Sequence, residues 1–499
     1  MLPQPLPSIA ENTLAFETTP LVKPTGFREY DARWLFGEEI NLLGIQALGQ
    51  GLGTLIHELG KQPRIVVGHD FRSYSLSIKQ ALTVGLMTSG MEVLDIGLAL
   101  SPVAYFSQFE LDAPCVAMVT ASHNENGWTG VKMGAQAPLT FGPDEMGRLK
   151  EIVLSGHYKS VPGGAYRAVS GLRKRYMDDL VDGISIKRPL KVIAACGNGT
   201  AGAYAPETLA RLGIEVIPMD HELDHTFPKY NPNPEDLQML HAMRDAVIEH
   251  NADMALGFDG DGDRCGVVDD EGEEIFADKI GVLLARDLSS LNPGAQFVVD
   301  VKSTGLFVTD PVLIENGAKT LYWKTGHSYI KRKSHELGAL AGFEKSGHFF
   351  FNAPVGRGYD DGLVAAIALL QMLDRNPDKK LSDLRKSLPQ TWQSPTMSPK
   401  CADEKKYDVV DKVVQTFQNR ASAKEKIIGQ SIRDVVTVNG IRITAEDGTW
   451  GLIRASSNKP ELVVVVESPT SEENMKVMFA ELDAVLSQHP EVGDYNQKI

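Results

Sequence analysis

One pattern recurs three times along this chain and leaves few folds open to it. An apolar strand is followed by a helix, a second strand opened by glycine, and a third strand that stops at a polar loop. It reads first as RIVVGHD (64–70), a helical stretch to about Ser89, GMEVLDIG (90–97) and CVAMV (115–119). The second copy is LKVIAACGNG (190–199), AYAPETLARL, GIEVIPMD (213–220) and ADMALGFDGDGDR (252–264). The third is AQFVVDVKST (295–304), a shorter helical piece, GAKTLYWKTGHS (317–328) and GALAGFEKSGHFF (338–350). Continuous apolar strands alternating with helices indicate mainly parallel sheets covered on both faces. Ligands bind such sheets off the carboxyl ends of their strands. The three copies therefore aim three loops, TASHN, DGDGDR and FEKSGH, at what is expected to be one shared cleft.

A chain of 499 residues is too long for one core and divides accordingly. SGHYKSVPGGAYRAVSG (155–171) and SLPQTWQSPTMSPK (387–400) are linker-like in their Ser, Pro and Gly content. The junction of the second and third copies falls near DDEGEE (269–274). Beyond residue 400, helical patterns at 404–420 and 472–488 flank β-rich VVTVNGIRITAED, WGLIRAS and ELVVVVES, as in a separate α+β domain. The expected class is α/β, with three tandem similar domains of mixed, mainly parallel sheets around a cleft and a C-terminal α+β domain. The expected boundaries are 1–165, 166–272, 273–388 and 389–499.

Bulk properties exclude several classes. No run approaches the roughly 20 apolar residues of a membrane span. The N-terminus lacks the basic start and apolar centre of a signal peptide. Four widely spaced cysteines (115, 196, 265, 401) fit neither a zinc pattern nor a disulfide scaffold and read as reduced thiols in a cytoplasmic protein. A net charge of −15 argues against nucleic acid or an anionic membrane as partner. It leaves room for a small phosphorylated substrate held by a local cluster of cations. No obligate protein partner is evident.

Asp259, Asp261 and Asp263 alternate in DGDGDR, so an extended segment puts their carboxylates on one side. Three hard oxygen ligands on a glycine-rich loop suit Mg²⁺ or a similar ion. The EF-hand alternative fails, because Arg264 stands where that loop needs Gly and Asp270 where it needs Glu. Arg264 is placed to pair with a phosphate. Ser122, in TASHN, has no Gly-x-Ser-x-Gly surroundings. Its neighbour His123 is expected to point away in an extended loop, so the serine reads either as an ordinary turn residue or as a hydroxyl activated beside a metal. Lys132 is a surface residue or a source of charge near phosphate. His327 in KTGHS, and Glu344, Ser346 and His348 in FEKSGH, suit sugar hydroxyls and proton transfer. RASSNKP (454–460) is either a hairpin turn or an anion nest built on Arg454, Ser456, Ser457 and Asn458.

In this order, GFREYDAR, TASHNENGWTGVKMG, GFDGDGDR, KTGHS, FEKSGH and RASSNKP resemble the successive signatures of the α-D-phosphohexomutase family, and within it the bacterial phosphomannomutase/phosphoglucomutase group. The resemblance covers nearly the whole chain. It implies three similar α/β domains and a C-terminal domain around a deep cleft. It makes Ser122 the phosphoserine and Asp259, Asp261 and Asp263, with that phosphate, the Mg²⁺ site. It implies reversible interconversion of hexose 1-phosphate and 6-phosphate through a bisphosphorylated hexose of the glucose 1,6-bisphosphate type. Lys132 and His348 resemble the proton-transfer residues, and Arg454, Ser456, Ser457 and Asn458 the clamp on the non-reacting phosphate. Glu344 and Ser346 would meet sugar hydroxyls, while Tyr30, Arg33, Arg264, Lys302 and His327 would line the phosphate and sugar sites.

Departures from the family pattern fall on neighbours of these residues. Glu125 replaces a common Pro; Ala32 and Trp34 flank Arg33 in place of Ile and Gly. Phe343 and Lys345 flank Glu344 in place of Gly and Met, and Asn458 and Lys459 replace Thr and an often acidic residue. These changes bear on the choice of sugar more than on mechanism. The alternatives are a phosphoglucosamine mutase, a metal-dependent phosphatase acting through Ser122, and a catalytically silent sugar-phosphate sensor.

Overall fold

The computed structural model describes residues 3–457 and 459–499, so Asn458 lies outside the described residues. The chain forms two compact units: Met1–Ile280 with Ser346–Asp383, and Gly281–Lys345 with Leu384–Ile499.

The first unit carries two sheets that realise the first two copies of the repeat. In the first sheet the order is Ala32–Leu35, Trp128–Gly134, Cys115–Val119, Arg64–His69, Glu92–Leu98, Ala165–Ala168. Arg64–His69 runs parallel to both of its neighbours, and Trp128–Gly134 returns antiparallel beside Cys115–Val119. The second sheet repeats this plan: Lys191–Ala195 lies parallel to Glu215–Met219 on one side and Met254–Phe258 on the other, and Cys265–Asp269 returns antiparallel. In both, the first strand of the copy sits between the second and third. Cys115–Val119 and Met254–Phe258 are buried along their whole length, which explains why they read as unbroken apolar runs.

One expectation needs correction. Residues 155–171 are not all linker, because Ala165–Ala168 adds a parallel strand to the edge of the first sheet against Glu92–Leu98. All four of its residues are exposed, so no apolar alternation marked it. Tyr166 fastens it by donating its hydroxyl to Asp95 at 2.9 Å.

In the second unit, Gln296–Asp300 lies parallel to Lys319–Trp323 and to Ala341–Phe343, again with the first strand of the copy in the middle. The C-terminal sheet is antiparallel throughout, in the order Trp392–Gln393, Leu462–Ser468, Trp450–Ala455, Ile441–Ala445, Gln430–Val436, Lys426–Ile427. Helices Lys406–Ser422 and Glu472–Leu486 cover one face, over a core that includes Val413, Phe417, Ile443, Val464 and Leu482. The opposite face presents Trp450, Leu452, Val463 and Val465, which pack with Val301.

Candidate active site

Ser122 follows Cys115–Val119 and adopts a left-handed φ of 51°, rare for a residue with a side chain. The turn buries Ser122, which is only 2% exposed, and reverses the expectation for its neighbour. Ser122 Oγ lies 3.2 Å from His123 Nδ1, because the turn swings neighbouring side chains together instead of apart. Burial, then the nearby Arg264 and Arg33, pushes the His123 imidazole well below the usual histidine range, so it stays neutral.

Three residues outside the expected set, Asp70, Arg72 and Thr120, hold this turn together with Arg33. Arg72 donates to the carbonyls of Ser122 (3.0 Å), Asn124 (2.6 Å) and Glu125 (3.0 Å). Thr120 Oγ1 accepts from the Ser122 N–H at 2.8 Å and donates to Asp70 at 2.8 Å. Arg33 donates to the Ala121 carbonyl at 2.9 Å and to Asp31 at 3.0 Å. Asp70 and Arg72 fall directly after RIVVGH, at the carboxyl end of a central strand; that position was the available signal.

The aspartate loop comes against the serine turn. Ser122 Oγ donates to Asp259 Oδ2 at 2.9 Å. A Cβ on Gly260 would lie 2.6 Å from the Ser122 carbonyl oxygen, so only glycine permits this approach. Asp259–Asp263 is a turn, with Gly262 at φ 73°, and not the extended segment expected from alternation. The turn nonetheless gathers one carboxylate oxygen of each aspartate within 4.8 Å of the others, all three residues being fully buried.

Lys132 belongs to this cluster and is not a surface residue: it is 2% exposed, with Nζ 2.7 Å from Asp261 and also paired with Asp263. Ser101, another residue the sequence did not mark, donates to Asp261 at 2.6 Å. Burial opposes charge on Lys132, but Asp261 and Asp263 override it and hold the ammonium protonated well above the usual lysine range. Despite its own burial, Asp263 is kept well below the carboxylate range by Lys132 and His348. Asp259 goes the other way, pushed well up by burial and by the two neighbouring aspartates.

The residues fit a divalent cation. Asp261 Oδ1 is buried without a hydrogen-bond partner, and the three carboxylates carry more negative charge than Lys132 offsets. His348 Nε2 stands 3.3 Å from Asp263 and its Nδ1 3.2 Å from Ser346 Oγ, while Arg264 reaches Glu235 at 3.2 Å. Ser122, Lys132, the three aspartates, Arg264, Ser346 and His348 thus share one buried cluster in the first unit. Tyr30 is buried at the entrance to the Arg33 strand.

In the second unit, Lys302 lies in the turn after Gln296–Asp300, and His327 opens the helix His327–Leu337. Glu344 is 1% exposed, with Oε1 accepting from the Gly326 N–H at 2.5 Å. The Lys302 turn is gripped from the C-terminal sheet: Arg442 donates to the carbonyls of Val301 (2.8 Å) and Ser303 (2.7 Å) while lying over the rings of Tyr322 and Trp450. Trp450–Ala455 pairs antiparallel with Leu462–Ser468. Arg454 is the next-to-last residue of the first of these strands, and its Nε is buried without a hydrogen-bond partner, free for an anion. Ser456 bonds back to Glu461 and Lys459, and Ser457 is beside it; Asn458 lies outside the described residues.

Family models of the phosphoglucomutase/phosphomannomutase domains match in order: α/β/α domain I over residues 24–159, domain II over 174–272, domain III over 276–392 and the C-terminal domain over 400–484. A phosphomannomutase/phosphoglucomutase of Pseudomonas syringae is 34% identical over 470 residues, 93% of this chain and 97% of that protein. One from Pseudomonas aeruginosa is 32% identical over 474 residues, 94% and 98% of the two chains. The crystal structure of a phosphoglucomutase/phosphomannomutase family protein from Burkholderia thailandensis aligns with a TM-score of 0.85 at 28% identity, covering 96% of this chain and all of that one.

Proposed function

This chain belongs to the phosphoglucomutase/phosphomannomutase family, and from that premise we propose that it interconverts hexose 1-phosphate and hexose 6-phosphate through a phosphorylated Ser122 and a bisphosphorylated hexose. The observation that carries this reading is the convergence of Ser122 Oγ, Asp259, Asp261, Asp263 and Lys132 in one buried cluster.

Asp259, Asp261 and Asp263 would hold the metal, with Mg²⁺ the ion this all-oxygen set favours. When bound, that ion supplies charge stabilisation to the phosphoryl group in transfer. The hexose hydroxyl oxygen forms its bond to phosphorus as the bond from phosphorus to Ser122 Oγ breaks. His348 takes the proton of the attacking hydroxyl, and Lys132, held as an ammonium, gives one to the departing serine oxygen. Ser122 then takes back the other phosphate of the bisphosphorylated hexose, and the isomeric monophosphate is released. Arg264 and Arg33 counter phosphate charge. Arg454, Ser456, Ser457 and Asn458 hold the non-reacting phosphate; Glu344, Ser346, Lys302, His327 and Tyr30 hold the sugar and its approach.

The domain division 1–165, 166–272, 273–388 and 389–499 belongs to the same reading. So does a cytoplasmic location, supported by four buried free thiols. Among the described residues, no helix is long and apolar enough to cross a membrane. Sugar phosphates are the expected small-molecule partners.

The test compares kcat/KM for mannose 1-phosphate, glucose 1-phosphate and glucosamine 1-phosphate, with Mg²⁺ and a trace of glucose 1,6-bisphosphate. Turnover of the first two within about tenfold of each other, above the amino sugar, is the expected result, tenfold corresponding to about 1.4 kcal/mol of transition-state binding. Preference for glucosamine 1-phosphate would assign the enzyme to amino-sugar chemistry, and binding without turnover would make it a sensor.

A further inference from the structure

Two buried carboxylates outside the proposed machinery stand at matching places in the repeat. Asp70 directly follows the first strand of the first copy, Arg64–His69, and Asp300 ends the first strand of the third copy, Gln296–Asp300. Both strands lie between the second and third strands of their copies. A side chain at that strand end is therefore the one that can reach the loops leaving both neighbours.

The hydrogen bonds of Asp300 follow that placement on both sides, and those of Asp70 follow it on the side of the third strand. Asp70 Oδ2 accepts from Thr120 Oγ1 at 2.8 Å and from the Ala121 N–H at 3.3 Å, in the loop that carries Ser122. Its Oδ1 accepts from Ser75 Oγ at 2.5 Å and from the Arg72 N–H at 3.3 Å. Asp300 Oδ1 accepts from Ser303 Oγ at 2.5 Å and from the Lys345 N–H at 3.2 Å, and its Oδ2 accepts from Thr325 Oγ1 at 3.0 Å. Ser303 adjoins Lys302, Thr325 is two residues before His327, and Lys345 adjoins Glu344. One carboxylate thus touches all three loops that carry the sugar-site residues of its domain.

The second copy has Cys196 after its first strand, Lys191–Ala195. No carboxylate stands there, so the arrangement belongs to the first and third copies alone.

We propose that Asp70 and Asp300 are equivalent positioning residues, one in each of these two copies: Asp70 sets the loop that carries the phosphoryl group, and Asp300 sets the loops that hold the hexose. The proposal rests on the mutase reading above. An ionised carboxylate is a pure acceptor with two oxygens, so it can tie hydroxyl and amide donors from several loops at once. Asparagine presents a donor on one side and leaves a buried hydroxyl or N–H facing it.

The experiment compares wild type, Asp70→Asn and Asp300→Asn in the full-length enzyme by two readouts. One is KM and kcat for glucose 1-phosphate. The other is the half-life of phosphorylated Ser122 without sugar, as its phosphate is lost to water. Asp300→Asn is expected to raise KM about tenfold or more with the phosphoserine half-life within about twofold of wild type. Asp70→Asn is expected to leave KM within about threefold, lower kcat about tenfold or more and change the phosphoserine half-life. Should either variant fail to fold, Thr325→Val and Thr120→Val each remove a single donor and are expected to move the same parameters in the same directions by less. Variants that shift both readouts alike, or neither, would overturn the proposal, since only a separate role predicts the split. A wild type that forms phosphoserine and turns over hexose phosphate while Asp300→Asn keeps its KM would sink the proposal and leave the mutase reading standing. A wild type with no phosphoserine and no turnover would end both.

Discussion

At the scale of single residues, the candidate site is a problem in buried charge. Three aspartates with no exposed surface face one lysine, and burial of like charges that close is sustained only by a cation among them. In the metal-free protein Lys132 is that cation for Asp261 and Asp263, while Arg264 stands 3.8 Å from Asp259. Lys132→Met is therefore expected to lower the stability of the metal-free enzyme by about 3–5 kcal/mol, the cost of leaving a buried ion unpaired. Added Mg²⁺ should then raise the melting temperature of the variant more than that of wild type, because binding to the folded state alone stabilises it. Differential scanning calorimetry with EDTA and with Mg²⁺ checks this; equal shifts in both proteins would show that Lys132 does not share the charge of the metal site. The sequence exposed the aspartates because their spacing is chemical. It left Lys132 open between a surface residue and a source of charge and gave no sign of Ser101, since a lysine after Trp-Thr-Gly or a serine before Pro102 looks the same on a surface as in a cluster. The convergence of His123 on Ser122 was equally illegible, because it follows from a backbone turn that a non-glycine residue seldom takes.

At the scale of elements, helix Gly362–Arg375 begins on Asp361, whose Oδ1 accepts from the N–H groups of Leu363 (2.9 Å) and Val364 (3.2 Å). Capping of this kind normally favours the ionised carboxylate. Here burial outweighs the cap and the Tyr176 hydroxyl at 2.9 Å, and the carboxyl is pushed up to about 7. Because the folded value lies above the unfolded one, the stability this group contributes is fully present below the unfolded value and is lost as pH rises through about 7. The swing is on the order of 4 kcal/mol. Asp361→Asn keeps the capping oxygen and removes the titration. Its unfolding free energy, measured by urea denaturation, should gain on wild type as pH rises from about 4 to about 7 and run parallel to it above, because the unfolded carboxyl ionises first. A constant difference across that range would show that Asp361 titrates normally. The elements themselves were largely legible: the fully buried Cys115–Val119 and Met254–Phe258 announced themselves as apolar runs, and the C-terminal helices fell close to their expected limits. Strand Ala165–Ala168 did not, because an exposed edge strand has no buried face to leave a pattern.

At the scale of the whole molecule, the repeat did most of the predicting. It implied mainly parallel strands with the three polar loops leaving their carboxyl ends, which holds in the sheets; that each copy places its first strand between the other two came from the structure. Pairing partners were less legible, since register depends on contacts far apart in sequence. The C-terminal domain has its own core between sheet and helices, and a second apolar face bearing Trp450, Leu452, Val463 and Val465. Expressed alone, residues 389–499 are expected to unfold cooperatively but to self-associate through that uncovered face. Sedimentation across a concentration series checks this, and a strictly monomeric fragment would show that the face is not sticky enough to need its cover. Arg442→Met in the full chain belongs to the same contact, as it removes two hydrogen bonds and a cation stacked on two rings.

The account turns on Ser122 carrying the transferred group. The most direct measurement incubates the enzyme and its Ser122→Ala variant with Mg²⁺ and glucose 1,6-bisphosphate bearing labelled phosphate, maps the label by peptide mass spectrometry, and chases with unlabelled glucose 1-phosphate. The account predicts label on Ser122 alone, its quantitative release into hexose phosphate during the chase, and neither label nor turnover above about one-thousandth of wild type in the variant. Label on another residue, label that does not chase, or turnover retained by Ser122→Ala would contradict it.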